Sequence, residues 1–101
     1  MRKQKRKPHP DPAIELQLQE ILELRASVGR WAELIRGYRI SIESFHIEMR
    51  RSTMDWRIEA YAERADALDG KIHAAEASIT GVHEQIRDRT AKIDPADLAY
   101  L

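Results

Sequence analysis

The sequence predicts an all-α protein, an antiparallel two-helix hairpin of coiled-coil type that assembles into a larger helical bundle. Three observations carry that prediction. Ile14, Ile21, Val28, Ile35, Ile42 and Met49 recur every seven residues, with Leu24, Trp31, Tyr38 and Phe45 at the intervening d positions; this is the a/d seam of one helix packed on another. Ile58, Ala65, Ile72, Ile79, Ile86 and Ile93 form a second seven-residue series, with Met54, Tyr61, Leu68, Ala75 and Val82 at d. The two series are out of phase across a gap in which Arg50, Arg51, Ser52 and Thr53 are all polar, so the chain is expected to turn there.

Residues 1–12, with three prolines and five basic side chains but no apolar anchor after Met1, are expected to form a disordered basic tail. Asp11 followed by Pro12 has the form of a helix N-cap with proline at the first helical position. The first helix is therefore placed at residues 13–50, about 55 Å at the standard rise. The turn is placed at 50–53, where Ser52 and Asp55 have the spacing of a capping box with a shortened acid. The second helix is placed at 53–93, stopping before Asp94-Pro95 because a residue preceding proline is pushed out of helical geometry. Residues 94–101 are a short C-terminal tail. A turn centred between Arg51 and Ser52 sets Met49 against Met54, Phe45 against Ile58, Ile42 against Tyr61, Tyr38 against Ala65, Ile35 against Leu68 and Trp31 against Ile72.

Two competing structures share the same residues. Tyr38, Ile40, Ile42, Phe45, Ile47, Met49, Met54, Trp56 and Ile58 also alternate with polar neighbours, which is a strand signal and would insert a small β-meander between two helices, as in prefoldin-like architecture. No Gly, Pro, Asn or Asp stands where its tight turns would need one, and the hairpin is preferred. The other competitor is one unbroken helix.

With 101 residues the chain is one domain at most, and a hairpin buries only a narrow seam. It has no cysteine, hence no disulfide framework and no thiolate metal site, and no apolar run of membrane-spanning length; a cytoplasmic protein is expected. Its charge of zero hides an asymmetry, since Arg2, Lys3, Lys5, Arg6 and Lys7 sit in the tail and leave an acidic body.

Residues off the seam suggest an interface. Ala60, Ala67, Gly70, Ala74, Ala77 and Gly81 fall at c and f, a track of small side chains on the back of the second helix. Gly37, Ile40, Ser44 and Ile47 occupy the back of the first, Leu18 and Leu22 extend apolar surface beside its seam, and Trp56 sits at f. Ile40, Ile47 and Trp56 are costly to leave in water, which favours burial against another copy or a helical partner over an ordinary solvated surface.

Other chemistry is thinly represented. Glu43 and His46 have the Glu-x-x-His spacing of ferritin-like di-iron bundles, but they fall at b and e, away from the core where such ligands converge. The four histidines are scattered and the four glycines isolated, so neither a catalytic constellation nor a phosphate loop is formed. The basic tail could neutralise a few phosphates, yet no aromatic residue is interleaved with it and the body is acidic. The sequence thus predicts a non-catalytic structural or adaptor protein without a cofactor, a homo-oligomer or a binder of helical partners. A small nucleic-acid-binding regulator using the tail is the alternative, and a metal-binding half-bundle the third.

Overall fold

The computed structural model of the protein describes residues 6–101. Two long helices, α1 (Pro12–Arg51) and α2 (Asp55–Ala91), pack against each other as an all-α hairpin, and a short helix α3 (Pro95–Leu98) follows. Among the described residues there is no strand, and 38–51 and 55–58, which carried the alternating pattern, are helical. The chain leaves helical geometry at 52–54, so the unbroken helix is excluded as well.

α1 starts as its sequence dictates. Asp11 Oδ1 accepts the backbone N–H of Ala13 at 2.9 Å, Asp11 O accepts that of Glu15 at 2.9 Å, and Pro12, which has no N–H to leave unpaired, is the first helical residue. The same three residue types, Asp94-Pro95-Ala96, both end α2 and begin α3. The Ile93 N–H closes a tightened last turn on Thr90 O at 3.2 Å, Asp94 then adopts φ −60° and ψ 136°, and its Oδ1 accepts the Ala96 N–H at 2.9 Å.

The turn differs from expectation in its cap and its centre. Ser52 does not form a capping box with Asp55; its hydroxyl accepts the Met54 N–H at 3.3 Å, and Met54 O receives the first helical bonds from Arg57 and Ile58 at 3.0 and 3.2 Å. Met54 is thus the capping residue by position, although its side chain cannot cap, and it is 49 % exposed. With α1 ending at Arg51 and α2 starting at Asp55, the turn centres on Thr53 and not between Arg51 and Ser52.

The packing divides into two parts. In the part spanning Gly29–Thr80, buried Ile35, Ile72 and Ala75 form the core, with Trp31, Tyr38, Ile42 and Ile79 packed around them. The later turn centre moves the facing residues by about one helical turn. Phe45 stacks on Tyr61, with ring centroids 5.9 Å apart, where Ile58 was the expected partner, and Ile35 clusters with Ile72 and Ala75 where Leu68 was expected, while Trp31 packs in the cluster of its expected partner Ile72. A heptad pattern specifies which face is buried, whereas the number of residues in the turn specifies the register.

In the other part, built from the described residues up to Val28 and from Gly81–Leu101, Leu18 and Ile21 are fully buried together with Ile93. Leu18 was expected beside the seam, and the C-terminal segment explains its burial: Leu98, Tyr100 and Leu101 pack on this cluster along with Ile14 and Ile86. Fully burying a leucine or isoleucine contributes about 1.5 to 3 kcal/mol, so residues 94–101 are a working part of this core.

The basic tail, expected to be free as far as Pro12, is engaged from Arg6 onward. The Arg6 guanidinium pairs with Glu15 and donates to Tyr100 O at 3.1 Å. The His9 N–H donates to Glu15 Oε1 at 2.9 Å, and its ring lies 4.5 Å from the Tyr100 ring. His9 Nδ1 accepts the Asp11 N–H at 2.9 Å, which leaves Nε2 to donate to Asp97 at 2.8 Å. The sequence offered these partners only at long range, and the aromatic anchor for the tail was Tyr100, 91 residues beyond His9.

Candidate interaction surfaces

Within Gly29–Thr80 the a and d positions of both helices are turned to each other, which sends c and f outward. Ile40 on α1 and Trp56 on α2 are each 63 % exposed, while Ile47 is half-buried. The Arg57 guanidinium lies 5.3 Å from the centroid of the Trp56 ring, within cation–π range. On α2, Ala67, Gly70, Ala74 and Ala77 are exposed and Ala60 is half-buried. Gly81, at the edge of the other part, is half-buried. The residues assigned to an interface are therefore outward-facing, as their heptad positions require, and Ile47, Ala60 and Gly81 are partly covered within the chain.

A Cβ built on Gly70 would meet nothing within 4 Å. Glycine in a helix interior costs roughly 0.8 to 1 kcal/mol relative to alanine. Packing within one chain does not require that cost at Gly70.

The outward faces also differ in charge. At the b, c and f positions α1 from Gly29 to Arg51 carries Arg30, Arg36, Arg50 and Arg51 with Glu33 and Glu43, whereas α2 from Asp55 to Thr80 carries Glu59, Glu63 and Asp66 with no lysine or arginine. The basic residues of that stretch of α2, Arg57, Arg64 and Lys71, lie at g, where Arg64 and Lys71 sit 5.8 and 5.9 Å from the rings of Tyr61 and Tyr38. Arg36 reaches both oxygens of Glu33 at 2.5 and 2.6 Å, holding that carboxyl below its usual range by hydrogen bond and charge.

Sequence patterning missed other exposed apolar side chains. Leu16 and Leu34 are exposed, at c and g of α1. Their positions outside a and d were the available signal.

The remaining candidate residues are not brought together. Glu43 and His46 are both exposed on α1, and the described residues contain no group of three His, Cys, Asp or Glu side chains placed to hold a metal ion. Of the basic tail, Arg2, Lys3 and Lys5 lie outside the described residues, Arg6 is committed to Glu15 and Tyr100, and Lys7 is exposed. A depression lined by Gln17, Glu20, Gln85, Asp88, Arg89, Lys92 and Ile93 has the Glu20 and Arg89 ion pair in its wall. No helix among the described residues is long and apolar enough to cross a membrane.

Compared with known proteins, the chain matches no family model, no curated protein and no solved structure.

Proposed function

We propose that the protein is a non-catalytic structural or adaptor element that self-associates, or binds helical partners, through the outward faces of its hairpin. The observation that carries this reading is the exposure of Ile40 and Trp56 on helices whose seams are already occupied by one another. Each would contribute about 1.5 to 3 kcal/mol on full burial, a driving force for association that a lone hairpin forgoes.

The test is molar mass in solution over a wide concentration range, for the wild type and for Ala67→Arg and Ala74→Glu. Ala67 and Ala74 are exposed, so the new side chains disturb no intrachain packing, but in an interface they clash and bury an unpaired charge. The wild type is expected to gain mass with concentration, and both variants to remain smaller at unchanged helicity. A wild type that is monomeric throughout removes self-association and leaves only the helical-partner form of the proposal. Variants that assemble like the wild type remove the α2 face from it.

A further inference from the structure

The outward faces of the two helices are unlike each other, and the difference specifies how a second copy would dock. Within Gly29–Arg51, α1 presents the exposed Ile40 and, seven residues on, the half-buried Ile47, flanked at b, c and f by Arg30, Arg36, Arg50 and Arg51 against Glu33 and Glu43. Within Asp55–Thr80, α2 presents Trp56 at its start and then Ala60, Ala67 and Ala74 at the same seven-residue spacing, flanked at b, c and f by Glu59, Glu63 and Asp66 without any lysine or arginine. Pairing α1 with α1 would set isoleucines against isoleucines and arginines against arginines, while pairing α2 with α2 would oppose acid to acid and leave the isoleucines exposed. Mixed pairing seats the exposed Ile40 over the stretch of small side chains Ala67, Gly70 and Ala74, clear of Trp56 at the start of α2, and brings the arginine-rich rim onto the acidic one.

We infer that the outward face of α1 in one copy docks on the outward face of α2 in the next, a head-to-tail contact between hairpins. This rests on the self-association reading and makes it more specific. A head-to-tail contact uses a different surface on each partner, so every addition leaves one α1 face and one α2 face free. Growth stops only if a ring closes, and assembly should pass beyond the dimer.

The chain has no cysteine, so single cysteines report contacts without background. Two differently tagged populations, one Ile40→Cys and the other Ala67→Cys, are mixed and treated with a short bis-maleimide, with each population alone as control. The expected result is mixed-tag products in excess of either same-site product, with masses above the dimer for the wild type. Same-site Ala67→Cys products dominating in a protein that does oligomerise would overturn the head-to-tail contact and leave self-association standing. A chain that stays monomeric would overturn both.

Charge reversal gives a second readout independent of the cross-linker. Arg36→Glu with Arg50→Glu should weaken assembly about tenfold, for two exposed pairs, and mixing this variant with Glu63→Lys, Asp66→Lys chains should restore association at low salt. Helicity of each variant alone verifies folding. If the reversed pair associates no better together than apart, the charged rims do not face each other and the inference fails.

Discussion

Ile72 and Ala67 lie on the same helix five residues apart, and their substitutions should separate hairpin stability from assembly. Ile72 is buried against Ile35 and Ala75, so Ile72→Ala leaves a cavity and is expected to cost about 2 to 5 kcal/mol, read as a lowered denaturant midpoint. An unchanged midpoint would mean that this cluster is not the stabilising core. Glu15 supplies a pH dependence at the same scale. Hydrogen bonding from Arg6, then from the His9 backbone, lowers its carboxyl from 4.5 to about 2. A depressed acid stabilises the fold fully above its unfolded value, and that contribution fades as pH falls from about 4.5 through about 2. In acid titration followed by amide exchange, the contacts of Arg6 and His9 should therefore loosen over that window in the wild type. In Glu15→Gln they should be loose already at neutral pH, and an identical profile for the two proteins would rule the ion pair out as the fastening.

At the scale of the elements, the hairpin is a statement about distance. Spin labels at Arg36 and Asp66, both exposed, should report a separation set by two adjacent helices, whose axes lie about 8 to 10 Å apart. Thirty residues of continuous helix would instead place them about 45 Å apart, and that reading would refute the turn at 52–54. Removing residues 1–10 would be neutral for a free tail. Here it takes Arg6 and His9 away from Glu15, Asp97 and Tyr100, and amide exchange in residues 94–101 and near Leu18 is expected to accelerate, with Gly29–Thr80 unaffected. Equal exchange before and after truncation would show that these contacts hold nothing in place.

For the molecule as a whole, the buried side chains among the described residues are Leu18, Ile21, Ile35, Ala65, Ile72, Ala75 and Ile93, two of them alanines. A core this narrow leaves a single chain marginal, and anything that binds only the folded state raises its stability by mass action. The proposed assembly therefore predicts a melting temperature that rises with protein concentration. Trp56 offers an optical check. In a Trp31→Phe background it is the sole tryptophan, and its emission should move to shorter wavelength as concentration rises and the exposed ring is covered. Emission independent of concentration would place Trp56 outside any contact between copies.

The sequence by itself determined the helices and their buried faces. Seven-residue spacing is a local property, as are the Asp11-Pro12 cap and the stop before Asp94-Pro95, and each can be read within a turn or two of chain. It also located the bend to within a few residues, because only one polar gap separates the two seams. Tertiary structure alone decided the register, since the pairing of Phe45 with Tyr61 depends on how many residues the turn consumes and a heptad accepts several alignments. Tertiary structure likewise decided the fate of both ends. Leu18 is buried because Leu98, Tyr100 and Leu101 return to cover it, and Arg6 and His9 are held because Glu15, Asp97 and Tyr100 converge on them. Those partners are up to 94 residues apart in the chain, and no local pattern records a contact that exists only once the helices have folded back on each other.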